Sequence, residues 1–386
     1  MWSKVSSVSY RCVTANILKR VRRLLATSSN FRSALYVWRP IQKTGVNGLL
    51  TCGICAGALA GYCAFYHPCI ALSAGPASPI TLGKPIRSRH DVRDTTDFKM
   101  EVLSIKTQAE VVEELQRLEG SSKTFVVNRS TETENDGTVT CVIEDGKVFE
   151  KACVNVAVSS GVLPADAAKR MRVPPQAEGP VEYSATIITS AIHPRNPNVP
   201  SLQFSYSYFE ARDASGTVHW WFDGECELTP YILHEEDIRH FHRTLKQTCD
   251  QHNVSYYRTF KKQCDEHFFI KHRQEHRGVG GIYFEELSDG SQAKCLAFIS
   301  DCLRAVLPSY VPIVEKNKDK GYSYSERDLQ LARQARYVEF ALLYDGNDNA
   351  NLTLPLNARW HYQREDKANS GGSNIFDVLR NPKEWV

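Results

Sequence analysis

The sequence predicts an α+β fold: a large antiparallel β-sheet flanked by α-helices, forming a single domain behind an N-terminal targeting region. Three observations carry this reading. Strand signals crowd residues 138–222 and succeed one another without helical crossovers, which makes antiparallel pairing the economical solution. Helical periodicity dominates from about residue 235 onward. The first ninety residues contain twelve Lys and Arg and no acid before Asp91, a balance that belongs to an address rather than to a core.

The address comes first in the chain. Arg11, Lys19, Arg20, Arg22, Arg23, Arg32 and Arg39 lie among Ser, Leu, Val and Ala, the composition of an amphipathic mitochondrial presequence. Gly48 to Tyr66 follows, nineteen residues without a charge, close to the minimum that crosses a bilayer. Gly53, Gly57 and Gly61 are spaced four apart, as where helices approach closely in lipid. An Arg-rich segment followed by an apolar one reads as a two-part signal that halts in the inner membrane and releases the body into the intermembrane space. The alternative is a permanent inner-membrane association through 48–66. Residues 1–95 are therefore set apart from a folded domain at 96–386.

Within that domain, Thr107-Gln-Ala-Glu110 has the form of a capping box opening a helix that carries Val111, Leu115 and Leu118 and stops at Gly120. Thr138–Ile143 and Lys147–Phe149 flank the turn signal Glu144-Asp-Gly146. Val154–Val158 and Tyr183–Ile188 read as further strands. Leu202–Phe209 alternates strictly, with Leu202, Phe204, Tyr206 and Tyr208 on one face and Gln203, Ser205 and Ser207 on the other. Asp213-Ala-Ser-Gly216 then turns the chain into Val218–Phe222. Apolar periodicity predicts helices near 235–250, 255–271, 291–306 and 325–335. Strands are expected at Ile282–Phe284 and at Tyr337–Tyr344, the latter returning to the sheet.

Composition excludes several classes. The whole chain has 42% apolar residues and a net charge of +3, ordinary for a globular enzyme and unlike collagen, coiled coils or largely disordered chains. Residues 91–386 carry 35 basic and 44 acidic side chains, so no nucleic-acid partner is expected, because phosphate contacts need a basic footprint. Of the twelve cysteines, Cys12, Cys52, Cys55, Cys63 and Cys69 belong to the presequence region, the middle three within its apolar segment. Cys141, Cys153, Cys226, Cys249, Cys264, Cys295 and Cys302 have no paired spacing and read as buried thiols.

Candidate chemistry gathers in three places. The polar face of 202–209 either meets solvent or a ligand. Trp220-Trp-Phe222 leads into Asp223-Gly-Glu-Cys-Glu227, three acids in five residues placed just past a strand end, offering a proton acceptor, a metal carboxylate or a solvated loop. Arg277-Gly-Val-Gly-Gly281 lacks the Lys-Ser/Thr ending of a phosphate loop and precedes a strand. Its glycines permit unusual backbone angles or a close approach to a flat ligand, and Arg277 is suited to clamp a carboxylate. His242 and His272 have no local metal spacing.

Val148-Phe-Glu-Lys-Ala152, Ala191-Ile-His-Pro-Arg-Asn-Pro197, Trp220-Trp-Phe222 with Leu228-Thr-Pro230, and His240-Phe-His-Arg-Thr-Leu-Lys246 occur in order, followed by Phe260-Lys-Lys262, Phe268–Arg273, Arg277–Gly281, Pro308-Ser-Tyr310 and Arg336-Tyr-Val-Glu-Phe340. With these motifs, residues 100–386 resemble the oxygen-dependent coproporphyrinogen-III oxidases of heme biosynthesis. The resemblance implies a mitochondrial, intermembrane-space homodimer that converts two propionates of a tetrapyrrole into vinyl groups, with dioxygen as co-substrate and no obligatory organic cofactor. It implies Glu227, Asp345 and Gln203 as catalytic positions and Thr189, Ser205, Ser207 and Arg277 as substrate-binding positions. No metal is expected; His193, His242 and His272 are the candidates should one bind.

Several positions depart from the family pattern. The family's His, Asn and Arg on the 202–209 strand are here Gln203, Ser205 and Ser207. Its Gly-Gly-Gly-x-Asp is Asp223-Gly-Glu-Cys-Glu227, adding charge expected to repel an anionic substrate. The Arg after Tyr344-Asp345 is Gly346, and the connector 347–353 is short. The family's Trp-x-Arg and glycine run reads Ser130-Thr-Glu132 and Asn135-Asp-Gly-Thr138. The alternative to a working oxidase is a catalytically impaired paralogue that binds a tetrapyrrole or a partner subunit without turnover.

Overall fold

A computed structural model describes residues 83–87, 94–131, 136–163, 168, 180–345, 350–361 and 375–386, all within one compact unit. Residues 1–82, where the presequence and the apolar segment 48–66 are expected, and residues 346–349 of the short connector lie outside the described residues.

Helix α1 (Thr96–Glu119) leads into six strands, β1 (Val126–Thr131), β2 (Gly137–Glu144), β3 (Phe149–Leu163), β4 (Val181–Pro194), β5 (Ser201–Arg212) and β6 (Val218–Thr229). Helices α2 (Glu235–Asp250) and α3 (Tyr256–His267) follow, then a two-stranded hairpin of β7 (Phe269–Ile270) and β8 (Glu275–His276), and strand β9 (Gly281–Leu287). The chain ends through α4 (Gln292–Asn317), α5 (Tyr324–Phe340), a π-helical turn at Ala341–Asp345, α6 (Ala350–Thr353) and α7 (Ile375–Arg380). The main sheet has seven antiparallel strands in the order β1-β2-β3-β4-β5-β6-β9, the fold class read from the sequence.

Each strand alternates its side chains between two faces, and the register makes the faces different in kind. Leu202, Phe204, Tyr206 and Tyr208 join Val154, Val156, Ile188, Cys226 and Phe284 in the main apolar core, covered by α1, α2, α3 and α4. Burying that many large side chains supplies the dominant stabilisation, roughly 1.5–3 kcal/mol for each fully buried aliphatic or aromatic. The seven described cysteines are all buried free thiols. The opposite face is aromatic at one end, where Phe209 packs 4.4 Å from Trp221 and 6.2 Å from Tyr183 between ring centroids. Its middle is polar, and α5 with α6 covers the other end.

Several expectations require correction. The Thr107–Glu110 sequence lies inside α1, which begins at Thr96, because Met100, Ser104 and Ile105 extend the buried stripe upstream. Lys147 and Val148 lie in the turn, Phe149 and Val154–Val158 belong to one strand, β3, and β1 at the sheet edge had no counterpart. Helix α4 runs through Pro308 and Pro312 to Asn317, since Tyr310, Ile313 and Val314 continue its buried side and outweigh the lost N–H groups. Tyr337–Tyr344 is not a strand. Helix α5 starts from a complete capping box, Ser323 with Glu326, and continues to Phe340. Its aromatic residues 337, 340 and 344 then recur at helical spacing, so tertiary packing overrides the β-preference of the segment.

Gly278 and Gly281 lie close against backbone carbonyls of β6, and Gly280 against the Asp265 side chain. Gly280 has φ +86°, a conformation that glycine adopts freely. At Gly281 an added Cβ would sit 1.9 Å from the Cys226 carbonyl oxygen, so β9 can press against β6 only with hydrogen at that position.

Candidate active site

Strand β6 runs on past Phe222 to Thr229, so the three acids are not in a loop beyond a strand end: Asp223, Glu225 and Glu227 are buried and project from one face of the sheet. Spacing of two residues along a strand dictates this. Direct cross-strand pairing puts Thr140, Asn155, Thr189, Ser205, Glu225 and Tyr283 in one continuous row over six strands. Gln203 faces Glu227 and Ser207 faces Asp223 in the neighbouring rows. Thr189 and Gln203 are half-buried, while Ser205 and Ser207 are buried. The alternating polar face of β5 is thus an enclosed platform, not a solvated surface.

The sheet brings Arg277 onto this platform from the loop before β9. Its backbone N–H donates to the Phe268 carbonyl at 3.0 Å, and its carbonyl accepts from the buried Arg333 at 2.8 Å. Arg277 is only 2% exposed. Its Nε donates to Glu227 Oε2 at 2.7 Å, and Nη2 donates to the same oxygen. The guanidinium lies 3.8 Å from the ring centroid of Phe268, 4.9 Å from Tyr337 and 5.0 Å from Phe340, contacts that favour a desolvated cation. The carboxylate clamped by Arg277 is therefore Glu227. Burial works against the charge on Arg277, but Glu227 and Glu225 outweigh it and hold the guanidinium protonated.

Glu225 has a different environment. Its Oε1 accepts from Gln203 Nε2 at 2.7 Å, and Gln203 Oε1 accepts from the Tyr337 hydroxyl at 2.5 Å. Burial pushes the Glu225 carboxyl up to about 7; Asp345 and Glu227 add to this, while Arg277 and Gln203 oppose it. Asp223 accepts from Ser207 Oγ at 3.3 Å and from the Glu286 backbone N–H at 2.8 Å. Burial, with Glu285 and Glu286 nearby, pushes it up to about 8. Both acids are thus shifted toward their protonated forms, because a carboxylate is costly to bury without a cation, and this weakens the repulsion an anionic ligand would meet. Asp345 sits half-buried at the end of the π-helical turn, within electrostatic reach of Glu225 and Tyr337.

The three histidines are not gathered. His193, at the end of β4, bonds Ser201 Oγ at 3.1 Å and donates to the Thr353 carbonyl at 2.8 Å; burial lowers it to about 4. His242 lies on the helical side against Tyr257 and Val279, and His272 pairs with Tyr344 and Glu339. Among the described residues no group of three or more His, Cys, Asp or Glu is arranged to hold a metal ion.

The sequence singles out Glu225 only as one of three acids past a strand end, and sequence reasoning missed Tyr337, Tyr283 and the buried Lys151, which shares the polar face through its pairing with His193. Extending the 218–222 strand by period two would have placed Glu225 on the platform. The helical spacing of residues 337, 340 and 344 would have pointed to Tyr337.

Fold and site together define an α+β protein whose antiparallel sheet carries an acid-bearing platform with chemistry suited to proton transfer. The sequence profile of coproporphyrinogen III oxidases matches residues 99–385. The chain belongs to the coproporphyrinogen III oxidase family. It is 43% identical over 325 residues to the oxygen-dependent coproporphyrinogen-III oxidase of Drosophila melanogaster, covering 80% of this chain and 83% of the fly protein. The mitochondrial enzyme of Homo sapiens is 42% identical over 336 residues, 83% of this chain and 72% of the human protein. A chloroplastic relative, coproporphyrinogen-III oxidase 1 of Arabidopsis thaliana, is 39% identical over 305 residues, 75% of this chain and 79% of the plant protein.

Proposed function

We propose that this chain is an oxygen-dependent coproporphyrinogen-III oxidase, converting two propionates of a reduced tetrapyrrole to vinyl groups with release of carbon dioxide. Membership of the family supports the reaction class. The observation that supports the placement is the continuous polar row beside the Arg277–Glu227 pair, on the sheet face that the main core leaves free. A flat, electron-rich macrocycle fits such a platform, and the macrocycle itself supplies electrons to dioxygen. No organic cofactor is required.

In this reading Glu227, oriented by Arg277, accepts hydrogen bonds from pyrrole N–H groups, and Asp345 closes the site from the π-helical turn. Thr189, Ser205 and Ser207 donate hydroxyls to the ligand, and Gln203 orients Glu225. Because Arg277 is engaged by Glu227, propionate binding rests on neutral donors and on acids kept protonated, which is gentler than a guanidinium clamp. Charge-assisted bonds are roughly twice as strong as neutral ones, so substrate affinity below that of an arginine-lined site is expected.

The protein acts as a mitochondrial homodimer, delivered to the intermembrane space by residues 1–95. Incubating the purified chain aerobically with coproporphyrinogen III tests the function. Vinyl product with peroxide supports it. Tetrapyrrole binding without product, followed by quenching of Trp221 on the platform side, would make the chain a binding member of the family instead.

A further inference from the structure

We propose that Glu225 is the proton donor of the oxidation. The inference rests on the oxidase reading and adds a residue to it. Each propionate turnover consumes one proton. Hydrogen leaves the side-chain carbon next to the ring with two electrons, which reduce dioxygen to hydroperoxide anion. The bond to the carboxylate then breaks, its electron pair forms the vinyl double bond, and carbon dioxide departs. Hydroperoxide anion takes one proton to become hydrogen peroxide, and solvent later restores the donor.

Three observations put that proton on Glu225. Its position is central: it stands in the polar row between Ser205 and Tyr283, with half-buried Thr189 one strand beyond Ser205 and half-buried Gln203 bonded to it. Its partner is neutral, because Arg277 directs its hydrogen bonds to Glu227 and only the Gln203 amide bonds Glu225. Among the described residues Oε2 of Glu225 makes no hydrogen bond, leaving one oxygen to carry and release a proton. Gln203 is itself fixed, since Tyr337 donates to its carbonyl oxygen and so turns the amide nitrogen toward Glu225.

The titratable groups acting on Glu225 are Glu227 and Cys226 on its own strand, Tyr283 across from it, Arg277, Tyr337 of α5, Asp345 and Cys264 of α3. Burial dominates their combined effect and favours the protonated carboxyl up to about pH 7. Asp223 also holds a proton, but it lies in a neighbouring row, bonded to Ser207 and the Glu286 N–H.

The test compares the full chain with Glu225→Gln and Glu225→Asp, reading vinyl product and peroxide across pH 5.5–9, with tetrapyrrole binding measured by tryptophan quenching. The wild-type rate should fall as pH rises past neutrality. Glu225→Gln keeps the shape and the Gln203 contact, so binding should hold within about threefold while kcat drops roughly 100-fold, the lower range for losing a general acid, and the alkaline fall disappears. Glu225→Asp should recover part of kcat and restore the alkaline fall. Unchanged kcat and pH profile in Glu225→Gln, with an active wild type, overturns this inference and leaves the function standing. A wild type that binds but yields no product overturns the function and this inference with it.

Discussion

Arg277 and Glu227 form a pair whose members cannot be removed singly without leaving a buried charge. Breaking such a pair costs about 3–5 kcal/mol, whereas replacing both partners with apolar groups of similar volume is often close to neutral. Arg277→Ala is therefore expected to lose about that much in chemical denaturation, and Arg277→Met combined with Glu227→Leu to recover most of it. Both variants should lack oxidase activity. A single variant as stable as the wild type would show that the pair is not buried as described. Asp223 supplies a prediction of opposite kind. Its folded-state acidity, pushed up to about 8, lies above the unfolded value near 3.8, so the native state retains a proton that the unfolded chain has released. The stability tied to this group is complete below about pH 4 and declines as pH climbs toward 8. Asp223→Asn cannot ionise, so its Tm should fall less than the wild-type Tm between pH 5.5 and 8, by an amount worth on the order of a few kcal/mol. Parallel Tm curves for the two proteins would refute the assignment.

At the scale of elements, the legible parts were those whose periodicity matched their burial. The β5 alternation was readable because Leu202, Phe204, Tyr206 and Tyr208 all enter the main core, and α2 was readable at both ends from its acidic first turn and apolar face. The continuation of β6 was hidden because Asp223, Glu225 and Glu227 carry loop-like polarity at buried positions, a cost that local preference alone would not predict. The end of α5 was hidden because aromatic and β-branched residues favour strands unless a helix already in progress claims them. That helix begins at the Ser323–Glu326 capping box. Ser323→Ala should lower stability by about 1 kcal/mol in thermal or denaturant unfolding, and no change would mean that the helix is held by packing alone.

Across the molecule, the sheet divides its labour between faces. One face is committed to the hydrophobic core, and the other holds most of the candidate residues named from the sequence: Gln203, Ser205, Ser207, Thr189, Glu227 and Arg277. Which groups bond which was not legible, because Arg277 meets Glu227 only after about fifty intervening residues have folded. The domain division predicts that residues 96–386, made without the first 95, fold and oxidise substrate at a rate comparable to the full chain. It also predicts that residues 1–95 carry a fused reporter to the mitochondrial intermembrane space; a cytosolic reporter would defeat that reading. The contact at position 281 couples architecture to chemistry. Even a methyl group there would wedge the last strand away from the sixth, and the loop that delivers the guanidinium would be carried off with it. The acid at 227 would then be stranded, so a residue with no side chain governs whether the charged pair assembles.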